Sequence, residues 1–325
     1  MSRLIPEAVL VQADFQSCER APLLAALERD CKLKLPQALQ RADRLLERLT
    51  DDGLLLLTGT EGGQEPSLDT HNVDAAVQAL AAASRIDINR LDPERQLASF
   101  RLAAFDMDST LIPIECIDEL AALVGRSLEV AALTEAAMRG EVPDYDESLR
   151  RRVALLATLP EESVQGLIER GIALNPGVEK LTRVFREAGL DLLVLSGGFI
   201  PIVAHIAARI KARAFEANTL EIHEGLLNGK LTGRILNAKY KAHYLQCYAR
   251  AWSVPPGGTI AFGDGANDLL MLAQAGLAIA YRAKPLVAAQ ADIRLNAAGF
   301  DALLEHFVET RSPSLREALA ACASL

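Results

Sequence analysis

The chain has 325 residues, 50% of them hydrophobic and 24% charged, with a formal net charge of -9. That length admits about two domains on a soft prior, and the composition supports a packed core over disorder. The negative balance argues against nucleic acid or an anionic membrane as the main partner, while still allowing local cations to receive a phosphorylated small molecule.

Five cysteines, Cys18, Cys31, Cys116, Cys247 and Cys322, are scattered without a Cys-x-x-Cys pair. This fits free thiols in a reducing, cytoplasmic setting better than a disulfide frame or a zinc site. No signal peptide is expected, and no stretch approaches the roughly 20 apolar residues of a membrane span.

In chain order, Val9 to Val11 reads as a strand, and Leu23 to Leu27 and Leu39 to Leu49 as helices by their three- and four-residue apolar steps. Leu54 to Leu57 is strand-like and runs into a glycine-rich turn at Gly59 to Gly63, which lacks the lysine and spacing of a phosphate-binding loop. Val73 to Ala83 reads as a further helix. Residues 1–97 are thus expected to form a small α/β domain with a regulatory or dimerising role, so that a homodimer is one expected form of the protein.

From about residue 98 the pattern changes. Apolar runs at Leu102 to Phe105, Leu190 to Leu195 and Thr259 to Phe262 read as buried parallel strands, each ending in polar or glycine-rich residues. The first two lie too far apart for a simple crossover, and Ile117 to Ile168 reads as helices. The expected fold class is therefore α/β: a Rossmann-like parallel sheet core, 98–115 with 174–325, carrying an inserted helical cap at 116–173.

Chemistry concentrates at the strand ends. In Phe105-Asp106-Met107-Asp108-Ser109-Thr110, two carboxylates two residues apart face one way at strand spacing. Adjacent anions repel unless a cation or a shared proton relieves them, which suggests a metal site beside a nucleophile and an acid. Ser196-Gly197-Gly198-Phe199 offers a hydroxyl and backbone able to approach an anion closely. Lys239 and Lys241 are rival candidates for a phosphate-binding lysine. Gly263-Asp264-Gly265-Ala266-Asn267-Asp268 places a further carboxylate after the third strand, and Asp264 and Asp268 share a face if a helix starts near Gly265.

In this order these motifs resemble the haloacid dehalogenase superfamily of phosphotransferases. Together with Glu115-Cys116-Ile117-Asp118-Glu119, Ala137-Met138-Arg139-Gly140 and Ser148-Leu149-Arg150-Arg151-Arg152-Val153, they are similar to its phosphoserine phosphatase family over about residues 100–298. The resemblance implies magnesium-dependent hydrolysis of phosphoserine, the last step of serine synthesis, through an aspartyl-phosphate. It implies Asp106 as nucleophile and Asp108 as general acid and base. Mg2+ would be held by Asp106, the Asp108 carbonyl and Asp264. Ser196, Gly197, Gly198 and Lys241 would hold the phosphoryl oxygens, with Asn267 and Asp268 ordering the site. Glu115 would meet the substrate ammonium and Arg152 its carboxylate, while Met138 and Tyr145 match apolar cap positions that close over the ligand. A related enzyme for another phosphomonoester and a phosphotransferase to an alcohol acceptor are the alternatives.

Overall fold

The computed structural model describes residues 8–13, 54–58, 86–139, 141–142 and 144–323. The chain divides into two compact units, Met1–Ser99 with Asp292–Leu325, and Phe100–Ala291. The helices expected at 23–27, 39–49 and 73–83, and the turn at 59–63, lie outside the described residues.

In the first unit, β1 (Ala8–Ala13) is the centre of an antiparallel sheet, flanked by β2 (Leu54–Thr58) and β3 (Ile86–Leu91). The apolar runs of β1 and β2 announce themselves in the sequence. β3 does not, because two of its buried positions are polar. The Asp87 carboxylate accepts hydrogen bonds from the backbone N–H groups of Asn296, Ala297 and Ala298 at 2.7–3.2 Å. Asn89 exchanges two bonds with the backbone of Arg294, each 2.8 Å. These contacts draw residues 292–325 into the first unit, whereas the sequence reading ran the sheet core to residue 325. Farther on, the buried His306 ring lies 3.4 Å from the Gln12 amide oxygen. The Arg311 guanidinium donates to the carbonyls of Asp92 and Pro93.

The second unit is built on β4 (Leu102–Phe105), whose four residues are all buried. An inserted cap follows: α1 (Cys116–Leu123), α2 (Ser127–Met138), α3 (Tyr145–Ala154) and α4 (Glu162–Glu169). The chain returns through α5 (Val178–Glu187), β5 (Asp191–Phe199) and α6 (Ile200–Ile210). A hairpin of β6 (Ala214–His223) and β7 (Leu226–Thr232) precedes α7 (Ala238–Ala251), β8 (Thr259–Gly263), α8 (Leu269–Leu272) and β9 (Leu277–Tyr281).

Within this unit the strands lie in the order β9-β8-β4-β5-β6-β7, parallel except for β7. β4 joins β5 on one side and β8 on the other, which is the switch point where open α/β sheets bind ligands at the strands' carboxyl ends. Phe105 stands opposite both Val194 and Phe262, so the three strands are in register at the point where β4 ends. The Phe105 and Phe262 rings stack with centroids 4.5 Å apart beneath that edge. The cap rests on the hairpin: Thr158 N–H donates to Leu227 O and Leu227 N–H to Leu159 O. Gly229 sits where a Cβ would come within 3.0 Å of the Ala154 carbonyl, so α3 can pack directly on β7.

Removing the Asp87 anchor by Asp87→Ala leaves three part-buried backbone donors without their acceptor. We expect the first unit to lose about 2–4 kcal/mol, read by chemical denaturation. Burial, reinforced by Arg95 and Arg311, pushes His306 down to about 3. A histidine depressed below its unfolded value of about 6.5 stabilises the fold fully above that pH and progressively less as pH falls toward 3. Stability measured from pH 7 to 4 should therefore decline, and His306→Gln should flatten that slope.

Candidate active site

The edge where β4 ends gathers the side chains that the motifs single out. Asp106 follows β4 directly. Its Oδ1 accepts from the Met107 N–H at 2.7 Å and its Oδ2 lies 2.8 Å from the Lys241 ammonium. Lys241 comes from the first turns of α7 and is fully buried, with its Nζ also 2.7 Å from Asp268 Oδ1. Burial alone would depress this lysine, but Asp106 and Asp268 outweigh it and hold the ammonium above its ordinary value. Lys241 and Leu245 are four residues apart and both buried, so they share the inward face of α7. Lys239 is exposed, and its part is limited to a backbone N–H that donates to the capping Asn237.

Asp264 follows β8 and accepts from the Thr110 hydroxyl at 2.8 Å. Asp268 reaches it by a different route from the one the spacing suggested. A 3-10 turn over Ala266–Asp268 replaces the helix expected from Gly265, and the Asp268 carboxylate folds back to accept from the N–H groups of Asp264 and Gly265 at 3.2 and 3.1 Å. Gly263 permits this, since a Cβ there would lie 2.5 Å from the Asp268 carboxyl carbon.

Asp106, Asp264 and Asp268 each offer a carboxylate oxygen within 4.8 Å of the others. Three ionised carboxylates against one ammonium would leave a double negative charge in a buried site. Burial, then the Asp268 charge, pushes Asp106 well above the ordinary carboxylate range, and burial with Asp268 lifts Asp264 to about 6. Hard oxygen donors with excess negative charge suit a small divalent cation. Lys241 and backbone donors already engage both oxygens of Asp268 and both of Asp106, whereas Asp264 accepts only from Thr110 among the described residues and so has the most room for a further ligand.

Asp108 lies in the turn Met107–Leu111, where Ser109 takes a left-handed φ of 56° and its hydroxyl donates to Glu115 Oε1 at 2.7 Å. The Asp108 carboxylate accepts from the Cys116 N–H at 3.3 Å. Burial, then the Glu115 charge, pushes Asp108 up to about 7, which suits a group that must both give and take a proton. Gly198 brings β5 against it: a Cβ there would stand 2.8 Å from Asp108 Oδ2. The buried Ser196 hydroxyl accepts from the Gly198 N–H at 2.9 Å. β5 runs on through these glycines with a register shift against β6, where the sequence suggested that the strand ends at Leu195.

A cavity of about 670 Å³ opens above these groups, lined by Asp106, Asp108, Gly197, Gly198, Asp264 and Asn267 below. From the cap side come Glu115, Asp118, Tyr145 and Arg152. The Arg150–Arg152 run is divided by helix rotation. Arg151 pairs with Glu147 at 2.7 Å toward solvent, while Arg152 lines the cavity. Met138 ends α2, and its side chain lies outside those described.

Several supports escaped the sequence reading. Thr110 orders Asp264, the buried Asn175 amide donates to Thr110 O at 2.7 Å, and Asn218 donates to Gly197 O at 2.8 Å. Asn237, the N-cap of α7, donates to Asp146 at 2.9 Å and so ties α3 of the cap to the helix that carries Lys241. Thr110 stood inside a recognised motif. The asparagines carry no local signal, because their partners are tens of residues away.

The haloacid dehalogenase-like hydrolase family model matches residues 103–273, and the chain belongs to that family. A phosphoserine phosphatase of Polaromonas sp. is 45% identical over 67% of this chain and 94% of its own length. A HAD family hydrolase from Salmonella enterica serovar Typhi aligns with a TM-score of 0.74 at 26% identity, over 94% of this chain and 99% of that one. A phospho-aspartyl intermediate analogue of a phosphoserine phosphatase aligns with a TM-score of 0.60 at 36% identity, over 64% of this chain and 99% of that one.

The buried lysine makes a strong prediction. Lys241→Met strands Asp106 and Asp268 as unpaired buried anions. Denaturation at neutral pH should show a loss of about 3–5 kcal/mol, with partial recovery when Asp268→Asn is added.

Proposed function

We propose that the chain is a magnesium-dependent phosphoserine phosphatase that hydrolyses O-phospho-L-serine to L-serine and phosphate, closing serine synthesis from a phosphorylated precursor. The observation that carries the reading is one cavity. Asp106, Asp108 and Asp264 line its base, with the buried Lys241 paired to Asp106, and Glu115 and Arg152 lie on its cap side. An α-amino acid phosphate needs both ends: cationic and metal contacts for the phosphoryl group, and a carboxylate–guanidinium pair for the ammonium and carboxylate. The names of the 36–45% identical relatives point the same way.

In this mechanism Asp106 attacks phosphorus, and the P–O bond to serine breaks as Asp108 gives its proton to the leaving oxygen. Asp108, now ionised, takes a proton from water. The resulting nucleophile attacks the aspartyl-phosphate, releases phosphate and restores the Asp106 carboxylate. Lys241, the Ser196 hydroxyl and the backbone at Gly197 and Gly198 hold the phosphoryl oxygens, while Asn267 borders them and Asp268 fixes the lysine. A magnesium ion, held by Asp106, Asp264 and the Asp108 carbonyl, would neutralise phosphoryl charge during transfer.

The cap at 116–173 selects the substrate, and 98–115 with the strands that follow carries the chemistry. Residues 1–97 are assigned a regulatory or dimerising role. Among the described residues no helix is long and apolar enough to cross a membrane. The free thiols of Cys116 and Cys247 suit the cytoplasmic setting proposed here.

The test is phosphate release from L-phosphoserine beside phosphothreonine, phosphoethanolamine and an aryl phosphate. We expect strong preference for L-phosphoserine, loss of turnover with a chelator, and a fall of roughly 1,000-fold or more in Asp106→Asn. Arg152→Ala should raise KM for L-phosphoserine roughly tenfold or more while sparing the aryl phosphate, through loss of a charge-assisted contact. Equal turnover of all four substrates by the unmodified enzyme would remove the amino-acid assignment.

A further inference from the structure

Helix α3 presents one face to the cavity. Tyr145, Ser148, Leu149 and Arg152 follow the i, i+3, i+4, i+7 pattern of a single helix stripe, and all four line the cavity. Seven residues at a rise of about 1.5 Å put roughly 10 Å between the backbones of Tyr145 and Arg152. Arg152 marks the end of the cavity assigned to the substrate carboxylate. Tyr145 marks the opposite end, over the phosphoryl-binding backbone.

Its placement there is close. A Cβ built on Gly197 would fall 2.2 Å from the Tyr145 hydroxyl oxygen, so the phenol oxygen rests on the open face of that glycine. The neighbouring Gly198 turns its own open face to Asp108. Tyr145 is also within electrostatic reach of Lys241, Arg152, Asp106 and Asp108. The hydroxyl makes no hydrogen bond to any described residue. The Asn237–Asp146 bond holds this first turn of α3 in register with the start of α7, four residues before Lys241. A purely apolar lid, the role that the sequence assigned to this position, needs no hydroxyl against the glycine.

We propose that the Tyr145 hydroxyl is a phosphoryl-binding donor, supplied by the cap, that bonds a phosphate oxygen beside the Gly197 backbone. The inference rests on the reading of this cavity as a phosphomonoester site. Residue 197 must then be glycine for a side-chain reason as well as a backbone one, since any Cβ displaces the phenol. Helix α3 measures the substrate from both ends, with Tyr145 on the phosphate and Arg152 on the carboxylate. Cap closure is thereby coupled to the phosphoryl group itself, and not only to the amino acid.

The test compares the unmodified enzyme with Tyr145→Phe, which keeps the ring and removes only the hydroxyl. Orthovanadate, a phosphoryl mimic without a serine moiety, is titrated calorimetrically in the presence of magnesium. Turnover of L-phosphoserine and thermal melting are measured on the same samples. We expect Tyr145→Phe to melt as the unmodified enzyme does, and to bind vanadate roughly 10- to 100-fold more weakly, as loss of a bond to a charged group predicts. Its kcat/KM should fall by a similar factor. In a Gly197→Ala background, adding Tyr145→Phe should cost no further vanadate affinity, because the hydroxyl is already displaced. Vanadate affinity within twofold of the unmodified enzyme, or additive losses in the double variant, would overturn the proposal even if L-phosphoserine is hydrolysed normally. Weakened vanadate binding in an enzyme that ignores L-phosphoserine would leave this contact standing and remove the serine assignment.

Discussion

A single buried ammonium holds the second unit's chemistry in place. Lys241 lies between Asp106 and Asp268, at 2.8 and 2.7 Å, with none of its surface exposed. Desolvating a lysine is costly, and here two carboxylates from separate segments offset that cost. The consequence is mutual: the lysine cannot leave without stranding the acids, and the acids cannot spread without stranding the lysine. That mutual constraint brings the end of β4, the turn after β8 and the first turns of α7 to one point. It also leaves the cluster one divalent charge short of neutrality, which is the electrostatic opening for a metal ion and a phosphoryl group.

The sheet makes this possible through register. Because Phe105 stands opposite both Val194 and Phe262, the residues that follow these strands emerge on one edge. Glycines at 198 and 263 then let neighbouring groups approach more closely than any side chain would allow. The cap adds a second layer of control. Its α3–α4 loop is bonded to the β6–β7 hairpin and the start of α3 to the start of α7 through Asp146 and Asn237, so the insertion is tied to the core at two points within it. Selection and chemistry thus meet in one cavity while belonging to different segments of the chain.

Much of the site was legible because strand periodicity and local motifs carry it. The Asp106–Asp108 spacing, the apolar run before it and the glycines at the end of β5 and after β8 are all short-range signals. Lys241 was separated from Lys239 by the family spacing to Leu245, and helix phase is the physical reason it holds: Lys241 shares a face with Leu245, while two residues along a helix is enough to turn a side chain to solvent. What was not legible depends on distance. β3 hides because Asp87 and Asn89 are buried polar residues whose partners lie more than 200 positions later. β9 hides because its five apolar residues lie close behind the apolar α8, with only Gln274 and Gly276 interrupting the run. β6 is half-buried and alternates weakly. Asp268 reached the cluster as a turn cap, not as a helix neighbour, since its carboxylate had nearer backbone donors to satisfy.

The central claim is that Asp106 accepts the phosphoryl group covalently. The direct measurement is rapid acid quenching of the enzyme with phosphate-labelled L-phosphoserine, followed by borohydride reduction and peptide mapping. The account predicts transient labelled protein and conversion of Asp106 to homoserine. Turnover with no covalent label, or a label mapped to another residue, would contradict it.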